Sequence, residues 1–467
     1  MRIFRDYGLV TCVPLPSHSA NALLSFTARN VRSYWDEVNL SLLGTRLSAA
    51  GVARELGVVG NRSPVSVLPV AGVFGANASG KSTLLLAMSD MRRIVLGSFR
   101  RGDQETKLPR RPFLLRSDGA ERSSRFAVDL ILDGVRWQYG FEINDHQVLD
   151  EYAYHYPKGR QALVFHRNGD DSGPDFGPAF RSSGRTLARL ARTNALLLSV
   201  AGAAADGTHP DQQGVVALIA PLFRWFRRSF RLVESGNRET RITYTARNLK
   251  TPEARAGIIR LLQAADLGIT EIERLPVDAD LVERVERAVR IFAGMDDEPK
   301  SGRQVEIPIP DLVRLHHAGT EGPVAIDPRH ESQGTLAWVS IMAPLFDAIR
   351  VGSVLLVDEL DNSLHPHLVR QFVRLFQNPG TNPRCAQLVF NAHDPTILGD
   401  SGQRTLGRDQ IWFTEKNEVG ATTLYSMADF HPKGDEALGR RYLQGRYGAV
   451  PMLNPAAFDR AADAASS

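Results

Sequence analysis

One octapeptide, Gly75-Ala76-Asn77-Ala78-Ser79-Gly80-Lys81-Ser82, constrains this chain more than anything else in it. It fits the pattern GxxxxGK[ST], a glycine-rich loop that leads from a buried strand into a helix. The two glycines let the backbone curl until its N–H groups converge on an anion, and the start of the following helix favours the same negative charge. Lys81 places a cation beside the β- and γ-phosphates of a nucleotide, with Ala76, Asn77, Ala78, Ser79 and Thr83 completing the cradle. The Ser82 hydroxyl suits a magnesium ion. The flanks agree: residues 65–74 read as one mostly apolar strand, and 82 to about 94 as a helix.

Such a loop needs a second strand beside it. Val354-Leu355-Leu356-Val357-Asp358-Glu359 supplies one, an apolar run ending in two carboxylates. Taken alone it is an ordinary buried strand. Beside a phosphate loop, Asp358 becomes the residue that holds Mg2+ through water, and Glu359 the one that polarises an attacking water. ATP and Mg2+ are the implied ligands.

The remaining periodicity organises the chain. Leu24, Phe26 and Ala28, then Val38, Leu40 and Leu42, alternate as two antiparallel strands joined at Arg32-Ser33-Tyr34. Residues 125–132, 135–143 and 148–156 read as a meander, and the polar stretch 166–185 as a linker. Helical spacing follows at 186–203, 212–232, 252–265 and 280–293, with no sustained heptad. A helix at 337–349, a buried strand at 353–357, a helix at 365–376 and a second buried strand at 386–390 close the pattern. Strand–helix alternation of this kind implies a mostly parallel sheet covered on both faces. The expected division is an extension at 1–22, an ATPase lobe with the glycine-rich loop at 23–165, a helical insertion or arm at 166–300, and a second lobe at 301–467.

The loop and the Asp-Glu strand together resemble the ABC ATPase superfamily in its SMC- and OLD-like branch, and further segments follow that family's order. Glu331-Ser332-Gln333-Gly334-Thr335 resembles the signature motif, in which Ser332, Gly334 and the helix N-terminus would grip the γ-phosphate of a partner subunit's ATP. Without that context a Ser-x-Gly-Thr segment is a plain helix cap. Asp361-Asn362-Ser363-Leu364-His365-Pro366 resembles the D-loop, with Asp361 near the nucleotide. His393, in Asn391-Ala392-His393-Asp394, resembles the switch histidine that senses the γ-phosphate. His365 and His367 invite a metal reading, but no further ligand accompanies them. Lys81, Glu359 and His393 are then the expected catalytic set. Three more segments, 265–269, 411–416 and 442–448, are similar to the bacterial AAA-type, ABC-like ATPases of abortive-infection and restriction loci, the AbiL- and RloA-like proteins. The resemblance implies an α/β ABC-type ATPase head with mixed sheets and an inserted helical arm. It also implies a homodimer or higher oligomer bridged by ATP, and a separately encoded effector, RloB-like or Toprim-like. Two features depart from the pattern. No Q-loop glutamine stands out, Gln104 and Gln138 being the candidates, and the residues after Asp394 are too few for a Toprim domain.

Composition sets outer limits. A net charge of +4 is compatible with nucleic acid but does not require it. Arg224, Arg227, Arg228 and Arg231 share one face of a helix at i, i+3, i+4, i+7, and Arg181, Arg185, Arg189 and Arg192 form a second stripe. Either face suits nucleic-acid backbone or an acidic partner, and either also suits solvent. Two cysteines far apart, Cys12 and Cys385, exclude a disulfide scaffold and fit a reducing cytoplasm. No apolar run reaches about 18 residues and no secretory signal is visible, so neither a membrane span nor export is expected. Function divides four ways. The leading expectation is a dimeric ATPase switch controlling a toxic effector in anti-phage defence. A RecF-like DNA-maintenance ATPase is the alternative. A transporter motor would need an LSGGQ-like signature and a clear Q-loop, and a small-molecule kinase a lid.

Overall fold

The computed structural model describes residues 21–48, 51–100, 106–169, 173–206, 214–234, 236–275, 284, 312–399, 404–433 and 436–466. Cys12, Gln104, all but one residue of the helix expected at 280–293 and most of the extension at 1–22 lie outside them.

The chain opens with strands β1 (Ala22–Arg29) and β2 (Val38–Ser41), the expected antiparallel pair, then a small hairpin, β3 (Arg54–Leu56) and β4 (Val65–Val67). The strand expected at 65–74 is therefore two. Pro69 has no N–H to give a ladder, so β4 ends there and β5 (Val70–Gly75) enters a different sheet. Helix α1 (Lys81–Gly97) follows the loop. The meander is β6 (Ser124–Leu132), β7 (Val135–Ile143), β8 (Val148–His155), β9 (Ala162–Asn168) and β10 (Asp175–Phe176). With β1 and β2 it forms a seven-stranded antiparallel sheet, order β10-β9-β8-β7-β6-β1-β2. The supposed linker at 166–185 is largely structured, since β9 runs into it and β10 pairs back on β9.

Helices α2 (Arg181–Leu190), α3 (Leu197–Asp206) and α4 (Val215–Arg228) come next. The single helix expected at 186–203 breaks because Ala191 turns extended and the α3 N-terminus is captured elsewhere: the Leu197 and Leu198 N–H groups donate to the buried Glu151 carboxylate at 2.7 and 3.1 Å. Arg192 thus leaves the second arginine stripe. The stripe on α4 is shortened likewise. Ser229 is extended, Phe230 has φ 56°, and the chain becomes β11 (Arg231–Val233), so Arg231 lies on a strand. Phe230, fully buried, packs against Phe26, Trp225 and Phe226, which fixes the stop.

Helices α5 (Arg238–Asn248) and α6 (Pro252–Gln263) precede a three-stranded antiparallel sheet, β12 (Ile269–Leu275), β13 (Leu312–Gly319) and β14 (Gly322–Ile326). Then come α7 (Gln333–Val351), β15 (Val354–Val357), α8 (Pro366–Gln377), β16 (Gln387–Asn391), β17 (Ile411–Lys416), β18 (Thr422–Ser426), α9 (Leu438–Leu443) and α10 (Pro455–Ser466). The central sheet has the order β11-β15-β16-β5-β17-β18, parallel throughout except for β18. The segment expected as a helical arm, 166–300, is therefore woven into the molecule. Its described residues include an edge strand of this sheet, β11, and one strand, β12, of a second.

Alternation along the central strands explains their apolar runs. Val354, Leu356, Ala71, Val73 and Val389 face a core shared with α1, α3, α4 and the antiparallel sheet. Leu355, Val357, Phe74, Leu388 and Phe390 face a second core under α5, α6, α7 and α8. Contrary to the expectation of no such run, helix α7 is long and apolar enough, by length and composition alone, to cross a membrane. Trp338, Val339, Met342 and Leu345 of α7 are buried in that second core, and the helix carries Pro344 internally.

Candidate functional site

The glycine-rich loop leaves the carboxyl end of β5 and is clamped from three sides. Gly80 has φ 109°, and a Cβ there would stand 2.4 Å from Thr422 Oγ1. A Cβ on Gly75 would meet the Thr414 carbonyl at 2.5 Å. These two positions exclude any side chain. Tyr34 Oη donates to the Gly80 carbonyl at 3.1 Å, Thr422 Oγ1 to the Ser79 carbonyl at 2.9 Å, and Ser79 Oγ and Thr414 Oγ1 are 2.7 Å apart. Burial drives the Tyr34 phenol far above its ordinary pKa, so it remains a donor. Lys81, only 4 % exposed, donates to the carbonyls of Gly75 and Ala76 at 2.9 and 3.0 Å. Burial lowers the pKa of its ammonium, while Asp361, Glu359 and Asp358 pull it back up. The loop is a preformed cradle whose cation is held by neutral carbonyls.

The carboxyl ends of β15 and β16 bring the acidic residues alongside. Asn391, fully buried at the end of β16, ties them together. Its Nδ2 donates to Asp358 Oδ1 at 2.6 Å and to Ser82 Oγ at 3.1 Å, and its Oδ1 accepts from the Glu359 N–H. One amide nitrogen thus lies within hydrogen-bond reach of both oxygens expected to hold Mg2+. A hydroxyl and a carboxylate are hard donors of the kind this ion takes, with water filling the other positions. The residues present fit it. Glu359 has φ 51°, a left-handed conformation that costs energy in a non-glycine residue. Its Oε2 accepts from Asn362 Nδ2 at 3.1 Å, and His393 Nε2 stands 3.9 Å from its Oε1.

An open cleft of about 500 Å3 gathers Asn77, Ala78, Ser79, Gly80, Lys81, Ser82, Thr83, Glu359 and His393. Two further residues complete its lining, Ser33 from the turn after β1 and Lys416 from the end of β17. Gly75, Ala76 and Asp358 are not in that lining, and three more expected residues, Asp361, Ser332 and Gly334, are engaged elsewhere. The Asp361 carboxylate accepts from the His393 and Asp394 N–H groups, both at 2.7 Å, and so holds the histidine loop rather than lining the cleft. The reason is local: the loop after β16 offers free amides next to the turn after β15. Ser332 caps α7 by accepting from the Thr335 N–H at 3.0 Å, and a Cβ on Gly334 would touch the Ser363 carbonyl at 2.8 Å. Neither Ser332 nor Gly334 lines the cleft of its own chain. Gln138 is engaged inside the antiparallel sheet with Asp129 and Tyr156. His365 caps α8 and stacks on His367, ring centroids 5.2 Å apart.

Asn391, Ser33, Lys416, Thr414 and Thr422 are at the site without having been expected there. Asn391 left one visible signal, a polar residue ending an otherwise apolar strand.

A family profile described as "AAA domain, putative AbiEii toxin, Type IV TA system" matches residues 70–207 and 221–399. Among solved structures, the chain is similar to an SMC head bound to the C-winged helix domain of ScpA, at 11 % identity over 86 % of this chain and 97 % of that one, with a TM-score of 0.41. It is similar to the SMC head domain from Thermotoga maritima, at 12 % identity over 86 % of this chain and 98 % of that one, TM-score 0.37. A third likeness is to an Smc head with an extended coiled coil, bound to the C-terminal domain of ScpA derived from Pyrococcus furiosus. It has 12 % identity over 88 % of this chain and 98 % of that one, TM-score 0.35. No curated protein matches the chain.

Proposed function

Because the chain belongs to this AAA-domain family, we propose that its glycine-rich cleft binds ATP with Mg2+ and hydrolyses it, and that the hydrolysis works as a switch between two copies of the chain. The observation that carries the reading is the Asn391 amide. It joins the phosphate-loop serine to the Asp358 carboxylate and to the backbone N–H of Glu359, just past the end of β15, in one network. A strand pair built only for stability has no need of that bridge.

In this reading the loop N–H groups and Lys81 take the triphosphate, Lys81 exchanging two carbonyl partners for phosphate oxygens. Ser82 and Asp358 hold Mg2+, which when bound neutralises phosphate charge. Glu359, steadied by Asn362, accepts a proton from the attacking water. His393, close to Glu359 and fixed through its own N–H by Asp361, reports the γ-phosphate. Lys416 and Ser33 approach the same cleft and are candidates for further phosphate or ribose contacts.

The switch between copies rests on Ser332. It caps a helix beside the Asp361–Ser363 segment and lies outside the cleft of its own chain, so a second copy is the source of a capping serine. The description of the family as a putative toxin of a toxin–antitoxin system supports a place in defence, and control of a separately encoded effector joins the proposal on the resemblance of the sequence alone. The expected lobes at 23–165 and 301–467 and the segment at 166–300 share the central sheet through β5, β15 to β18 and β11, so the head as a whole is proposed as the unit of closure.

The test is Glu359→Gln. The amide keeps the shape but not the basicity, so ATP should still bind while hydrolysis falls by a factor of about 10² or more. ATP affinity by calorimetry and phosphate release on the same sample decide it. Wild-type turnover in this variant would remove Glu359 from the chemistry.

A further inference from the structure

A second concave surface lies at the other end of the central sheet. β11 and β15 run parallel, and Arg231 pairs with Leu355, so Arg231 and Ser353 mark the amino ends of strands whose carboxyl ends carry the nucleotide cleft. There a groove of about 350 Å3 is lined by Arg228, Arg231, Arg350 and Arg384, which arrive from the end of α4, from β11, from the last turn of α7 and from the turn before β16. Among the described residues Asp347 is the only acidic one in its lining.

That carboxylate is already engaged. Tyr244 Oη donates to Asp347 Oδ2, Arg350 donates to Oδ1 at 3.3 Å, and Arg231 donates to Tyr244 Oη at 2.7 Å with its guanidinium over the ring. Arg384 donates to the Arg350 carbonyl. Among the described residues Arg228, Arg231 and Arg384 have no carboxylate partner. Four guanidiniums from four segments share one groove with one acid, and like charges so gathered repel one another. Tyr244, Asp347 and the Arg350 carbonyl hold three of them in place and leave donors unused, which is the arrangement that forks onto phosphate.

We propose that this groove binds the phosphodiester backbone of a nucleic acid. The arginines are exposed and spread along an open surface, as a polymer of repeating charges requires. A single small anion would be better served by an enclosed site. Arg224, exposed one turn earlier on α4, extends the positive track beyond the groove. The site is separate from the nucleotide cleft and does not depend on ATP hydrolysis.

The experiment measures binding of a fluorescent DNA duplex and a fluorescent RNA hairpin by anisotropy across a salt series. The wild type is compared with Arg228→Gln/Arg231→Gln/Arg350→Gln/Arg384→Gln and with the four-lysine counterpart. The wild type should bind at least one of the two, with log affinity falling linearly in log salt. The glutamine variant should bind at least tenfold more weakly with a slope shallower by about 3, since each lost phosphate contact removes roughly 0.9. The lysine variant should keep the slope, and both variants should keep wild-type ATP affinity, which shows that they fold. Three results would each overturn the proposal: no binding of either probe by the wild type at low salt, an unchanged slope in the glutamine variant, or displacement of the bound probe by poly-glutamate at matched charge. The last would assign the groove to an acidic protein.

Discussion

At the scale of single residues, the site was legible where its chemistry is contiguous in sequence. Lys81, Ser82, Asp358, Glu359 and His393 stand in short motifs whose residue types already imply phosphate, metal and water. The residue that joins them was not legible, because Asn391 reaches Ser82 across 309 positions and Asp358 across 33. Only the sheet order, β15-β16-β5, sets it between them. Asn391→Ala leaves Asp358 Oδ1 and the Glu359 N–H without their buried partner. That should cost about 1–3 kcal/mol of stability in chemical denaturation. It should also raise the Mg2+ concentration needed for half-maximal ATPase activity, because the two proposed metal donors lose their common anchor. Unchanged stability together with an unchanged Mg2+ requirement would show the amide to be a bystander.

Among the elements, amphipathic strands were readable and breaks were not. The meander at 124–155 follows its alternation nearly residue for residue, since one face of that sheet is core and period two is enforced. The helix expected at 186–203 failed because its break is set by a carboxylate from another element. Glu151 on β8 caps α3, accepts from Tyr139 Oη at 3.0 Å and is fully buried. Burial pushes its pKa up to about 7 from 4.5, against the lowering effect of the Leu197 and Leu198 amides, Arg167 and Tyr139. A carboxyl whose folded pKa is raised holds its proton more tightly in the native state. Its stabilising contribution is complete below pH 4.5 and is lost as pH rises towards 7. The loss amounts to about 3 kcal/mol. Glu151→Gln cannot titrate. The stability difference between wild type and variant, followed by denaturant unfolding, should therefore shift in favour of the variant across that window and level off above it. A difference that stays flat with pH would mean that folding leaves the Glu151 pKa unshifted, and the raised value would be wrong.

For the molecule as a whole, the sheet order conceals how distant segments meet. Residues near 71, 232, 356, 389, 413 and 424 become neighbours in one six-stranded sheet, and β11 was invisible as a strand because only three residues form it. The same assembly separates Ser332 from the cleft that Lys81 builds in its own chain. If the switch proposal holds, Ser332 of one copy completes the site of another by offering a helix N-terminus to the γ-phosphate. Ser332→Arg should then leave ATP binding at Lys81 intact, since Lys81 does not depend on it. The added bulk and charge should prevent two copies from closing, and hydrolysis should fall to background. Lys81→Ala alone should abolish nucleotide binding and hydrolysis. Mixing the two inactive proteins separates the possible architectures. In a mixed dimer one composite site carries both defects, while the other pairs an intact Lys81 with an intact Ser332. With equal mixing about half of the dimers are mixed, and each holds one working site of two, so activity should return to roughly a quarter of wild type if sites fire independently. A chain that hydrolyses ATP as a monomer has no route to that rescue. Full activity of Ser332→Arg by itself would place the serine in α7 purely as a helix cap and would return the site to a single chain.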